Sequence, residues 1–426
     1  MKAISLFASG GIGDLALKKA GVDIVLTNEL LPERVSVYSR NFPESIALAG
    51  DIWELKEEII NKTLELTQGE TLDILLATPP CQGMSKNGQG ILLKNIREGK
   101  RPQIDVRNRL VIPTVEIIKR LKPNLVIFEN VPEMQNTVIN DEDGNYINIL
   151  EYIRRELSSE YVGKAEVVEF ADYGVPQRRK RLITVYSKKN AFKEHLEKCG
   201  TFIPKKTHSS QPKLGEKPWV TVRDTISSLP TLDGKDKVSA SSGIPYHHVP
   251  VLDPKKYNWI SRTPDEKGAF DNQCSNPTCL YQGNATHGST RNGDGINRAN
   301  QTTPLYCEKC GSLLPRPYTI KDGKLQIMAG FTSAYKRMRW DLPSPTLTTN
   351  LCYPSSDHKV HPSQNRVLSL FEAFKLHSLD KFDYIWEHKD GKPAANTLIR
   401  DIIGESIPPM GLYAIIEHLL SIYREE

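Results

Sequence analysis

The first 187 residues alternate short apolar β-type runs with helical stretches, and this rhythm limits the possible folds more than anything else in the chain. Ala3–Phe7 reads as a strand, Gly10-Gly11-Ile12-Gly13 as a turn, and Asp14–Ala20 as a helix closed by Gly21. Ile24–Asn28 reads as a second strand, a short third strand precedes Asp51-Ile52, and Leu55–Gln68 has apolar residues at helical spacing. Leu72–Ala77 and Leu125–Phe128 follow as strands, with a predicted helix over Val111–Leu121 between them. A helix at about 148–158 precedes two β-rich runs, Glu166–Phe170 and Arg181–Tyr186. The expected fold is α/β, a mostly parallel twisted sheet with helices on both faces.

The rhythm stops at Ser187. From there to about Lys336 the chain is rich in Pro, Gly, Ser, Thr and Asn, and helical patterns return only at Leu368–Leu376 and Met410–Leu420. The expected organisation is one domain from 1–187 and 351–426, interrupted by a smaller irregular domain over 188–350. Residues 188–336 hold 22 Lys and Arg against 13 Asp and Glu, whereas the whole chain carries only +5. A basic middle suits a docked polyanion, although a solvated, loop-rich surface would carry the same excess. No apolar run reaches membrane-spanning length, and Met1–Phe7 leads straight into a strand rather than a secretory leader. Seven cysteines without disulfide-framework spacing fit a reducing compartment, so a cytoplasmic location is expected.

Chemistry should gather at the carboxyl ends of the parallel strands, where open α/β sheets bind their ligands. The strand Leu72–Ala77 runs into Thr78-Pro79-Pro80-Cys81-Gln82-Gly83, a stiff turn that presents one thiol, and the strand Leu125–Phe128 delivers Glu129-Asn130-Val131. Free cysteines are more often small buried hydrophobes, but a thiol at a strand end near arginines can be shifted toward the thiolate. Phe7-Ala8-Ser9-Gly10-Gly11-Ile12-Gly13 lets backbone approach a ligand at a helix N-terminus. Glu29 ends the second strand, where an acid binds ribose hydroxyls, and Asp51 is placed to receive an adenine amine. In Gln177-Arg178-Arg179-Lys180-Arg181, strand geometry would put Gln177, Arg179 and Arg181 on one side, suited to anionic or carbonyl oxygens.

These motifs resemble those of the DNA (cytosine-5)-methyltransferases of bacterial and phage restriction-modification systems. The resemblance runs through FASGGIG, Glu29, Gly50-Asp51-Ile52, PPCQG, Asp105-Val106-Arg107-Asn108, Glu129-Asn130-Val131, QRRKR, 339–350 and Gly404–Pro409, in the family's order. It implies a Rossmann-like fold that binds S-adenosylmethionine. Phe7 would stack on adenine, with Gly10, Gly11, Ile12 and Gly13 at the methionine end. Glu29 would hold the ribose, Asp51 and Ile52 the adenine edge, and Pro79 one wall, while Glu405 and Ser406 complete the pocket. It further implies that Cys81 adds to C6 of a flipped-out cytosine, Glu129 serves the N3 proton, Arg181 contacts O2, and Arg179 contacts a phosphate or the thiolate. The loop 83–104 would close over the base. Glu405 departs from the family's usual Asn. The implied partner is double-stranded DNA, with a cognate restriction endonuclease acting separately. A tRNA cytosine-5 methyltransferase and a non-catalytic DNA-binding relative are the alternatives.

In the middle segment, Cys274-x4-Cys279 and Cys307-x2-Cys310-Gly311 have the spacing of a zinc ribbon with four thiolate ligands; unmetallated cysteines are the plainer reading. A structural zinc would explain how a segment with little core stays ordered. His287 is not needed as a fifth ligand, and Cys199 and Cys352 lack partner spacing. Arg291, Asn292, Arg298, Asn300 and Gln301 are the candidates for reading base edges, and the segment 337–350 is the expected hinge.

Overall fold

In the computed structural model of the chain, the N-terminal apolar run becomes the middle of a seven-stranded sheet. Residues 1–80, 105–286, 289–291, 297–299, 302–328 and 333–425 are described. The sheet comprises β1 (Lys2–Leu6), β2 (Asp23–Glu29), β3 (Ile46–Ala49), β4 (Ile74–Ala77), β5 (Leu125–Asn130), β6 (Val162–Glu169) and β7 (Lys180–Ser187), in the order β3-β2-β1-β4-β5-β7-β6. The first five strands are parallel, as expected, while β7 runs antiparallel between β5 and β6. Every residue of β4 and β5 is buried, which is why Ile74–Ala77 and Leu125–Phe128 read as unbroken apolar runs rather than as alternating ones. The strand order reverses between β1 and β4, which opens a crevice at their carboxyl ends.

The helices of this part are α1 (Asp14–Lys19), α2 (Pro32–Asn41), α3 (Ile52–Leu66), α4 (Val111–Leu121), α5 (Ile149–Leu157), α6 (Asn190–Cys199), α7 (Asn396–Glu405) and α8 (Pro409–Tyr423). α8 buries Leu412, Ile415, Ile416, Leu419 and Leu420, an i, i+3, i+4 stripe, and packs on α1 and the turn Phe170–Tyr173. Gly411 makes that approach possible, because an added Cβ would lie 2.3 Å from Phe170. At the other end, the Tyr423 hydroxyl donates to Asp73 at 2.6 Å and accepts from Asn124 at 2.7 Å, just ahead of β4 and β5.

The chain divides into one unit of residues 1–219 and 378–426 and another of 220–377. Both junctions lie later than the loss of sequence rhythm suggested. Residues 188–219 stay with the sheet: Phe192 and Phe202 are buried against each other, and the Trp219 indole donates to Asp172 at 2.9 Å. Residues 351–377 instead tie back to the second unit. Arg366 pairs with Glu372 through two bonds of 2.7 and 2.8 Å, both side chains fully buried, and His247 bonds Ser369 at 2.9 Å. In the segment read as a hinge, Arg337 is a buried post that donates to the carbonyls of Ile260, Thr263, His361 and Gln364. The second unit's main core gathers Trp259, Ile260, Phe270, Leu305, Ile327 and Tyr335. Among the described residues, no helix is long and apolar enough to cross a membrane.

Candidate active site

At the carboxyl ends of β1, β2, β4 and β5 lies a cavity of about 610 Å³, lined by residues of all four strand ends. The β1–α1 loop forms one side. Phe7 and Ser9 adopt left-handed conformations (φ 62° and 51°), and the Ser9 amide donates to Glu29 at 2.9 Å. Of the loop, Phe7, Ala8, Ser9 and Gly13 line the cavity, whereas Gly10, Gly11 and Ile12 do not. The glycines meet protein instead. A Cβ on Gly11 would lie 2.6 Å from Phe42, one half of a Tyr38–Phe42 stack, and one on Gly10 would press on Tyr384 and Ile402. Sequence reasoning assigned these two glycines to close ligand approach; on their Cβ side it is protein that comes close.

Glu29 is buried, and its two oxygens are fixed by the Ser9 and Leu31 amides at 2.9 and 3.1 Å. Asp51 and Ile52 both line the cavity. Asp51 also caps α3 by accepting from the Trp53 amide at 3.0 Å, and that puts Trp53 in the lining as well. Pro79 and Pro80 lie opposite. The Asn130 side chain donates to the Pro79 carbonyl at 3.0 Å and accepts from the Val131 amide, so the end of β5 holds the Pro-Pro turn in place. Cys81 and the loop 83–104 lie outside the described residues, as do His287, Asn292, Asn300, Gln301 and the side chains of Arg291 and Arg298.

Glu129 and Arg181 meet across the antiparallel β5–β7 pair, Nε to carboxylate oxygen at 2.7 Å, and both line the cavity. Burial pushes the Glu129 carboxyl above the usual range, against the opposing pull of Arg181 and Arg179. The strand alternation holds: Gln177 and Arg179 are buried, and Arg178 and Lys180 exposed. Arg179 is not in the lining. Its guanidinium donates to the Gly404 carbonyl at 3.0 Å, so it braces the end of α7 from behind. Glu405 and Ser406 do line the cavity, and Glu405 pairs with Arg34 at 2.7 Å. Arg34, Asn130 and Trp53 received no role from the sequence, because each takes its place only through tertiary contacts.

Asp14, also in the lining, is 2% exposed and accepts from Ser5 at 2.7 Å and from Tyr38 at 3.0 Å. Burial raises its carboxyl to about 7, although both hydroxyls pull the other way. Between the unfolded value of 3.8 and about 7, the native state holds a proton that the unfolded chain has released. Stability from this group is therefore complete below pH 4 and is lost as pH rises toward 7. The Asp14→Asn chain should lack that loss. Melting curves from pH 5 to 7 should show the wild type losing up to about 1.4 kcal/mol per pH unit relative to the variant; parallel curves would refute the assignment.

In the second unit, all four cysteines come together. Their sulfurs lie within 4.8 Å of one another, with Cys274–Cys310 at 3.7 Å and Cys279–Cys307 at 3.9 Å. A tetrahedron of thiolates about 2.3 Å from zinc has edges of about 3.8 Å. Two knuckles present them. The Gly311 amide closes back on the Cys307 carbonyl at 2.8 Å with φ 71°, and the Cys279 amide closes on Asn276 at 3.0 Å. Asn276 also bridges the knuckles through Ser312 at 2.9 Å. The only other fully buried apolar side chain in this cluster, among the described residues, is Leu314.

A family model described as C-5 cytosine-specific DNA methylase matches residues 1–421. The Type II methyltransferase M1.HgaI of Avibacterium volantium is 31% identical over 418 residues, covering 96% of this chain and 94% of that protein. M.XorII of Xanthomonas oryzae pv. oryzae is 27% identical, covering 99% and 85%. Among solved structures, a DNA modification methyltransferase encoded within an E. coli prophage has a TM-score of 0.55 at 17% identity, covering 100% of this chain and 99% of that one. A Spodoptera frugiperda DNMT2 variant has a TM-score of 0.53 at 15% identity, covering 98% and 99%; at these identities the two structures speak for the fold alone.

Proposed function

The chain belongs to the C-5 cytosine-specific DNA methylase family and is a DNA cytosine-5-methyltransferase; from that membership we propose that it methylates a flipped-out cytosine within a specific double-stranded sequence, using S-adenosylmethionine and a covalent Cys81 adduct. The observation that carries this reading is the shared cavity: an ion-paired acid and arginine at one strand pair open into the same space as Phe7, Glu29 and Asp51.

The cavity fits the methyl donor. Its volume is in the range of small-molecule sites, roughly 300–1,000 Å³. Phe7 offers a face for a purine, Glu29 has oxygens preset for ribose hydroxyls, and Asp51 keeps an oxygen beyond its helix cap. Bound S-adenosylmethionine supplies an electrophilic methyl group on a sulfonium. The chain's own residues make the base reactive. The Cys81 thiolate adds to C6 while Glu129 places a proton at N3, which turns C5 into an enamine-like carbon. Burial raises the Glu129 carboxyl and so favours its protonated form, and Arg181 fixes its direction. Loss of the C5 proton then expels Cys81. Arg179 acts by holding Gly404 and hence the Glu405-Ser406 wall.

The second unit, residues 220–377, is the proposed target-recognition part, and Cys274, Cys279, Cys307 and Cys310 are proposed to hold a structural zinc there. The enzyme would protect DNA from a separate cognate endonuclease, a reading supported by its similarity to Type II methyltransferases. The direct test is bisulfite sequencing of DNA from a methylation-free bacterium expressing the chain. Protected cytosines should share one sequence word, and unmodified DNA from cells with soluble protein would refute the proposal.

A further inference from the structure

We propose that Arg34 and Glu405 together read the amino-acid zwitterion of the methyl donor, Glu405 receiving its ammonium and Arg34 its carboxylate. The inference rests on the reading of the cavity as the S-adenosylmethionine site. The two side chains come from α2 and from the last residue of α7, and they meet at the cavity wall with Nη1 and Oε2 2.7 Å apart. They belong to a run of polar groups that starts at the ribose position. The Ser9 amide donates to Glu29 at 2.9 Å, Arg34 reaches the Ser9 hydroxyl at 3.4 Å, and Arg34 also donates to Glu405. With the ribose on Glu29, the next part of the donor is its amino-acid chain, and the run of hydrogen bonds leads from Glu29 through Ser9 to these two charged side chains.

The guanidinium has donors left over. Arg34 carries five N–H groups, and its Nε is buried without a hydrogen-bond partner among the described residues. An ion pair that leaves one member partly unused inside a ligand cavity is a site for further polar atoms, not a finished structural bridge. Its signs also match the ligand. A zwitterion presents one cation and one anion, and a lone carboxylate at 405, where a neutral amide is the family habit, would repel the donor's carboxylate. Arg34 removes that conflict, so the acid at 405 and the base at 34 act as one device.

The test uses calorimetric binding of S-adenosylhomocysteine, which has the amino-acid end, and 5′-methylthioadenosine, which lacks it. The wild type should prefer the first by about 100-fold. Arg34→Met and Glu405→Gln should each weaken S-adenosylhomocysteine by about 10-fold and leave methylthioadenosine unchanged, with Arg34→Lys recovering part of the loss. Equal weakening of both ligands would mean that the pair only braces the wall, and no weakening of either would mean that it reads nothing; each overturns the inference. If the methionine variant does not fold, the lysine and glutamine variants decide in the same way. A wild-type chain that binds neither ligand overturns the cofactor reading and this inference with it.

Discussion

A Cys81→Ala chain should transfer no measurable methyl to DNA while binding S-adenosylhomocysteine as the wild type does. The carbon to be methylated is a poor nucleophile, and a pocket that only positioned donor and base would leave it so. The step that changes its character is addition of sulfur to the neighbouring carbon, and among the described residues that line the cavity none replaces a thiolate in that role. Removing the nucleophile of a covalent mechanism costs several orders of magnitude, and the expected loss here is at least about 10⁴-fold. Pro80 is in the cavity lining and Cys81 is the next residue, while Asn130 holds the preceding carbonyl. DNA carrying 5-fluorocytosine should trap the wild type as a complex stable to denaturing gels, since fluorine cannot leave as a proton does. Turnover, or a trapped complex, with the alanine chain would remove the covalent mechanism.

The second large effect concerns the cysteine quartet. The purified protein should contain about one zinc per chain, and stripping it with a strong chelator, or replacing Cys307 with Ser, should unfold the surrounding lobe of the second unit. Four sulfurs at near-tetrahedral spacing with Leu314 as their one fully buried apolar companion among the described residues make almost no hydrophobic core. Structural zinc in small domains contributes apparent free energies of about 10–16 kcal/mol at neutral pH, far more than such a cluster could supply by burial. DNA binding should fall with the metal, whereas S-adenosylhomocysteine binding by the first unit should persist. A metal-free protein with an unchanged melting curve would dispose of the zinc site.

How much of this was legible beforehand depended on whether a feature is local. The strand Leu125–Asn130 announces itself because burial on both faces leaves its first four residues, Leu125–Phe128, wholly apolar. The Cys-x2-Cys-Gly knuckle is likewise written in neighbouring residues. α2 was not read, because its buried positions Val35, Val37, Tyr38 and Asn41 include an amide and are interrupted by serines. Gly10 and Gly11 were legible only in part, for a different reason. A glycine says that something comes close, but not whether that is a ligand or, as here, Tyr384 and Phe42. Alternation likewise placed Arg179 on the correct side, while the Gly404 carbonyl to which it donates comes from a distant part of the chain.

The position of α8 has a consequence for how the protein comes into being. The helix fills the underside of α1 and is pinned ahead of β4 and β5 by Tyr423, yet the ribosome delivers it only after the whole of residues 220–377. Until then the nascent sheet has a bare greasy flank, so the first unit should wait for this last piece or depend on a chaperone to cover it. A chain that ends ahead of Pro409 should therefore have no methyl-transfer activity, which a truncated protein would check.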